Sequence, residues 1–189
     1  MSSFLRLFVG IFPSQSTQKQ LNIAAANWCK NLQTEVRLLK PELLHLTVKF
    51  IGNVESTRLN DVTKAFLQAT DNLPSASLQI KQFKLFPNHR KPRVVAADIE
   101  LLPELNYLFR CCEEGFANLG IVTDKRAFKP HITLARARRW QPENISRHPW
   151  RLVEPIESIA LVHSQLSQEG AKYSIVASVP LNYSLANNT

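Results

Sequence analysis

The sequence predicts an α+β fold: two similar antiparallel β-sheets with helices on their outer faces, arranged as two lobes about a central cleft. Three observations lead there. Strand-like and helical runs follow one another roughly as β-α-β-β-α-β-β-α-β-loop-β-β, which is an α+β pattern. A pattern of His, apolar, Thr, apolar occurs twice, as His45-Leu46-Thr47-Val48 and His131-Ile132-Thr133-Leu134, each time after an earlier strand–helix unit. The chain has 189 residues and no linker rich in Gly or Ser, which allows one domain or two small lobes sharing a core. Residues 1–189 are therefore expected to form a single bilobal domain. Its lobes are centred on 43–51 and 128–136, and the two pattern strands face each other about a pseudo-twofold axis.

Taken in order, 5–12 is an apolar run with aromatic and β-branched residues, closed by Pro13, and reads as a buried strand. Ser14 or Ser16 caps a helix over 17–32, where Leu21, Ala24, Ala25, Trp28 and Cys29 recur at helical spacing. A short strand at 36–39 is followed by Pro41 and the first pattern strand, 43–51, with a turn at Gly52-Asn53. Leu59, Val62, Phe66 and Leu67 form the apolar stripe of a helix over 56–71, stopped at Leu73-Pro74. Residues 78–86 nearly alternate polar and apolar, a half-exposed strand. It pairs through a basic turn at 87–92 with a strand at 93–99. Leu105, Leu108, Phe109, Cys112 and Phe116 mark a helix over 103–119, with Gly120 suited to its C-terminal cap. Residues 121–127 are loop and 128–136 the second pattern strand. Residues 140–150 are irregular or a short helix. A closing hairpin pairs 156–166 with 173–179, and the tail after 183 is frayed.

The two patterns carry the chemistry. On a strand, residues i and i+2 share a face, so each strand presents an imidazole beside a hydroxyl and turns its apolar residues to the core. Histidine takes and gives protons near neutrality, with an unperturbed pKa of about 6.5. Two imidazoles can therefore serve an attacking and a leaving oxygen together. Threonine hydroxyls donate to phosphoryl oxygens without quenching an imidazole, so the set suits metal-free displacement at phosphorus. One His-x-Thr alone is a common half-buried structural histidine. Two copies, each in an apolar β-like run, outweigh that reading. His89 and His148 lie in a basic turn and a Pro-rich loop and read as exposed. His163 faces either cleft or core, and Phe8, Phe50, Phe66 and Phe116 read as core.

Net charge is +8 and the pI about 9.7, a balance that favours anionic partners such as nucleic acid. Lys125, Arg126, Lys129, Arg136, Arg138, Arg139, Arg147 and Arg151 crowd the second pattern, with Glu143 the one acid among them. With Trp140 and Trp150 this cluster also fits a noncatalytic RNA- or nucleotide-binding module, which would hold strands by charge and stacking. A metal site drawing His45 and His131 together with His89 or His163 is disfavoured, because neither pattern holds a carboxylate and the ligands are far apart in sequence. Cys29, Cys111 and Cys112 form neither a disulfide framework nor a zinc pattern, and a reducing cytosol fits them. The apolar N-terminus is too short to span a bilayer and lacks the features of a leader.

The stretches Leu44-His45-Leu46-Thr47-Val48-Lys49-Phe50-Ile51-Gly52 and Phe128-Lys129-Pro130-His131-Ile132-Thr133-Leu134-Ala135-Arg136 resemble the paired motifs of the two-histidine (2H) phosphoesterases. The branch they most resemble is the RNA 2′,3′-cyclic phosphodiesterases, also called 2′-5′ RNA ligases. The likeness extends to Arg6-Leu7-Phe8-Val9-Gly10-Ile11-Phe12-Pro13 and to Phe86-Pro87 with Pro92-Arg93-Val94. It takes in Ser164-x-Leu166, Gly170, Tyr173 and Pro180-Leu181, and so most of the chain. Position 127 is Ala where relatives often carry Pro. The resemblance implies a bilobal fold and metal-free opening of an RNA terminal 2′,3′-cyclic phosphate to a 2′-phosphate, with reversible 2′-5′ joining as a further capacity. It implies His131 as proton acceptor, His45 as proton donor, and Thr47, Thr133 and Arg136 as phosphate-binding residues. No cofactor and no metal are expected. The expected partner is RNA with a cyclic phosphate end, a group that tRNA fragments and small cyclic nucleotides share. The expected state is a cytoplasmic monomer away from membranes.

Overall fold

The strands and helices follow from where prolines and caps interrupt the apolar runs. In a computed structural model, which describes residues 3–32, 35–88, 92–124, 126–137, 148–168 and 170–181, the first strand, β1, is Phe4–Ile11 and stops ahead of Pro13. Ser14 caps helix α1 (Gln15–Cys29), its Oγ accepting from the Thr17 N–H at 3.2 Å. Glu154 reinforces that end, accepting from the Ser14 hydroxyl at 2.9 Å and the Thr17 hydroxyl at 2.7 Å. The chain continues through β2 (Val36–Leu38), β3 (Leu46–Glu55), α2 (Leu59–Ala69), β4 (Ser77–Phe86), β5 (Val94–Ile99) and α3 (Pro103–Ala117). It ends with β6 (His131–Ala137), β7 (His148–Pro155), β8 (Ser158–Ser167) and β9 (Gly170–Pro180). Pro103 opens α3, where a missing N–H is harmless, and Gly120 follows its end at φ 73°. Among the described residues no helix is long and apolar enough to cross a membrane.

The strands pair antiparallel in the order β7-β4-β5-β6-β3-β1-β8-β9, with β2 also on β6. In place of the two expected sheets there is one sheet, nine-stranded among the described residues, whose halves are β7-β4-β5-β6 and β3-β1-β8-β9. Among the described residues they meet at one residue pair, Leu46 with Ile132. The helices exchange halves. α1 follows β1 yet packs on β2 and β6, and α3 follows β5 yet packs on β3. One core lies on that helical face and includes Leu7, Val9, Ile11, Phe66, Phe116 and Leu134. α2 and α3 press together there: a Cβ added at Gly115 would meet Ala69 Cβ at 2.5 Å. The opposite face carries a second, smaller cluster, Phe8, Ala160 and Val162, flanked by Phe12 and Tyr173.

Several expectations are corrected. The first pattern strand starts at Leu46 rather than 43, because Pro41–Leu43 coils into a 3-10 turn that leaves His45 just ahead of the strand. The chain does not turn at Gly52-Asn53. β3 runs on to Glu55, with Gly52 at φ 92° and two register shifts against β1. Those bulges change the pleat phase. Lys49 is buried at 2% exposure, while Phe50, expected in the core, is 52% exposed with the Arg6 guanidinium 5.0 Å from its ring. The second pattern strand starts at His131 rather than 128. Residues 148–150, expected to end an irregular segment or short helix over 140–150, instead open the strand His148–Pro155, and residues 140–147 lie outside the described residues. This strand lies at the edge of the sheet, where its prolines are tolerated and its side chains alternate between exposed and half-buried. The expectations for His89, Trp140 and the tail after 183 lie outside the described residues, as do those for Lys125, Arg138, Arg139, Glu143 and Arg147.

Candidate active site

Alternation along two strands builds the site. Leu46, Val48, Ile132 and Leu134 point into the core, all 3% exposed or less. His45, Thr47, His131 and Thr133 are half-buried on the other face. The antiparallel register about the Leu46–Ile132 pair sets Thr47 beside His131 and His45 beside Thr133. Both imidazoles and both hydroxyls predicted from sequence are thus brought to one place, the junction of the two half-sheets.

The histidines are held alike. His45 Nδ1 lies 2.8 Å from the Leu43 carbonyl, and His131 Nδ1 lies 2.8 Å from the Lys129 carbonyl. A carbonyl only accepts, so Nδ1 carries the hydrogen in each ring, and Nε2 is left as the working nitrogen. Thr47 Oγ1 is 3.1 Å from His45 Nε2 and donates to it when the ring is neutral. The loop residues Leu43 and Lys129 are therefore positioning groups, each supplied by the proline-bearing turn that precedes its strand.

The two rings differ in their surroundings. His45 is packed by Phe8, Phe12 and Tyr173, with ring centroids 4.8, 5.5 and 5.2 Å away and Tyr173 edge-on. Burial pushes its pKa down, the Leu43 carbonyl opposes this, and the nearby charges of His131 and Arg136 push it down further. His131 stacks on Phe86 at 3.9 Å. Burial lowers its pKa too, with the Lys129 carbonyl opposing, Lys84 lowering and Asp98 raising. Lys84 is ion-paired with Asp98, which Gln82 also bonds at 3.1 Å. Asp98 sits across from His131 in the β5–β6 ladder.

Arg136 lies further along β6, exposed, between Val94 and Arg37 on the neighbouring strands. It borders a cavity of about 520 Å³ that Leu43 and Tyr173 also line. His163 is half-buried on β8 opposite Leu7 and Ser174. Exposed Arg126 is held by Asp124 at 2.6 Å, and Trp150 stacks on Phe83 at 5.3 Å rather than presenting a free platform. Among the described residues no three His, Cys, Asp or Glu side chains cluster as a metal site requires. The aromatic wall around His45, the Phe86 stack and the Lys84–Asp98 pair were not read from sequence as site residues. Phe8, Phe12, Phe86 and Tyr173 stand within the stretches that carry the resemblance, and Lys84 and Asp98 gave no signal.

Known proteins match both sequence and fold. The family described as LigT like Phosphoesterase matches residues 11–96, the part that holds the first His-x-Thr pattern. A protein named RNA 2′,3′-cyclic phosphodiesterase from Archaeoglobus fulgidus is 29% identical over 141 residues, 74% of this chain and 76% of that protein. One of the same name from Thermus thermophilus is 29% identical over 183 residues, 91% of this chain and 88% of its own. The crystal structure of a Thermus thermophilus protein superposes with a TM-score of 0.81 at 26% identity, covering 93% of this chain and 97% of that one. That of E. coli LigT complexed with 3′-AMP shares the fold, with a TM-score of 0.79 at 21% identity over 95% and 99% of the two chains.

Proposed function

We propose that the chain is a LigT-like phosphoesterase of the 2H group that opens RNA-terminal 2′,3′-cyclic phosphates to 2′-phosphates by paired histidine acid–base catalysis, without a metal. The observation that carries this is the matched pair of imidazoles at the sheet junction, each with Nδ1 tied to a carbonyl and Nε2 left for proton transfer. Seven related proteins bearing the name RNA 2′,3′-cyclic phosphodiesterase support it. The reading treats the chain as one catalytic domain of two lobes, because each lobe supplies one histidine. Three free thiols suit a reducing cytosol.

Neutral His131 takes a proton from water through Nε2 as the water oxygen bonds to phosphorus. The bond from phosphorus to the 3′-oxygen breaks, and protonated His45 gives its Nε2 hydrogen to that oxygen, leaving a 3′-hydroxyl and a 2′-phosphate. Exchange with solvent resets both rings. Thr47 and Thr133 donate to the non-bridging oxygens, and Arg136 offsets the developing charge. With an RNA 5′-hydroxyl in place of water as the attacking group, the same step would join RNA ends 2′-5′, and its reversal would cleave that linkage. Acid and base each contribute roughly 10²–10⁴-fold, enough for a strained ring.

The test is hydrolysis of an oligoribonucleotide with a 2′,3′-cyclic phosphate end in EDTA, with the position of the product phosphate mapped. The wild type is expected to give the 2′-phosphate, and His45→Ala and His131→Ala each to lose about 10²–10⁴-fold. Turnover that requires added metal, or that survives both substitutions, overturns the mechanism. RNA binding without turnover would assign the chain to a noncatalytic module.

A further inference from the structure

A basic cavity of about 520 Å³ is lined by Leu43 and Tyr173, two residues that contact His45. Its walls come from three parts of the chain. Arg37 and Lys40 stand on β2 and the segment after it, Arg136 on β6, and Lys172 and Tyr173 on β9. Arg37 reaches across toward the β8–β9 turn, with a terminal nitrogen 3.8 Å from where a Gly170 Cβ would be. Among the described residues that line it, four are cationic and exposed, and one, Glu42, is a carboxylate. The cavity is continuous with the reaction centre. Leu43, whose carbonyl fixes His45, lines it, and Tyr173 stands edge-on to His45 at its inner end.

The charge exceeds what one terminal phosphate needs. Arg136 serves that group in the mechanism above, and Lys40 and Lys172 lie beyond it on the two opposing walls. Resting on the cyclic phosphodiesterase reading, we infer that this cavity is a subsite for the single-stranded RNA that leads to the cyclic end: the phosphodiester backbone runs between Lys40 and Lys172, and Tyr173 supports the terminal nucleoside. Cationic grooves with an aromatic platform bind single strands in this way, without reading sequence. The cavity makes the protein a reader of chain length. It distinguishes an oligoribonucleotide from a nucleoside cyclic phosphate, although the reacting group is the same.

The test compares a nucleoside 2′,3′-cyclic phosphate with a tetraribonucleotide carrying the same end, for the wild type, Lys40→Ala, Lys172→Ala and the double variant. Lys64→Ala on α2, which packs on the core face, controls for net charge. The wild type should favour the tetranucleotide. Each cavity variant should raise KM for the tetranucleotide about three- to tenfold, the size of an exposed charged hydrogen bond. It should leave the mononucleotide unchanged and lower the slope of log affinity against log salt by about 0.7. Equal use of both substrates by the wild type, equal losses on both in the variants, or the same effect from Lys64→Ala overturns the subsite. Fluorescence anisotropy with a tetraribonucleotide ending in a 2′-phosphate reads the cavity independently of turnover. If the wild type cleaves neither substrate, the phosphodiesterase reading fails, and Lys-dependent binding of this probe still decides whether the cavity holds RNA.

Discussion

Leu46 pairs with Ile132, and each is the residue that follows a histidine. The seam between the half-sheets and the reaction centre are therefore one feature. Pleating sends the two apolar residues into the core and leaves each histidine and threonine on the opposite face, so the contact that joins the lobes also sets the spacing of the imidazoles.

Thr47 lies 3.1 Å from the Nε2 of His45 and, in the proposed mechanism, also donates to the phosphate. Thr47→Val keeps the shape and removes the donor. Loss of a hydrogen bond to a charged group is worth about 1.5–3 kcal/mol, so kcat/KM should fall about ten- to a hundredfold with the unfolding midpoint little changed. Thr47→Ser should recover most of the rate. A Val variant as fast as the wild type would remove Thr47 from the mechanism.

The pH profile has a determined sign. The proposed mechanism needs one ring neutral and the other charged, yet burial lowers the pKa of both, and His131 and Arg136 lower His45 further. In the free protein the imidazolium is lost below the ordinary value of about 6.5, so kcat/KM should decline as pH rises through that range. The negative phosphate favours the charged ring in the complex, so the limb in kcat should lie at higher pH. Arg136→Gln removes one depressing charge and should move the alkaline limb of kcat/KM upward. A limb that stays in place or moves down contradicts the assignment of His45 as the acid.

Lys49, expected only as part of a strand, is among the largest of the fully buried side chains, with Phe66, Phe83 and Phe116. Its Nζ donates to Glu113 at 2.7 Å and to the Val122 carbonyl at 2.8 Å, and Glu113 also accepts from the Asp124 N–H at 2.9 Å. Removing one partner of a buried pair costs about 3–5 kcal/mol. Lys49→Met should lose stability of that order in urea unfolding, and Lys49→Met with Glu113→Met should regain most of it. A cost under about 1 kcal/mol for the single variant would show that water reaches the site.

Much of the fold is legible because its signals are local. Ser14 ahead of an apolar helical stripe, Pro103 at a helix start, and the alternation of Leu78, Ile80, Phe83 and Leu85 are each read within one turn or strand. His45, Thr47, His131 and Thr133 were legible as a pair of patterns because strand geometry alone puts i and i+2 together. What escaped depends on contacts between distant segments. β7 exists because β4 has a free edge, which no property of Pro149 or Pro155 announces. Phe50 faces outward because of bulges that only the pairing with β1 reveals. Asp98 stands by His131 through ladder register, and Lys84 through its bond to Asp98.

The exchanged helices have a consequence for how the protein can come apart. α1 follows β1 yet packs on the half that holds β6, and α3 follows β5 yet packs on the half that holds β3. Trp28 of α1 lies on Phe83 of the other half, and Glu113 of α3 holds Lys49 across the divide. The two halves of the sheet are interlocked through these helices. Separating them would strip each half of a helix that packs on it, so the repeat visible in the sequence is not a pair of separable modules. The same interlock braces the Leu46–Ile132 seam on which the two histidines stand.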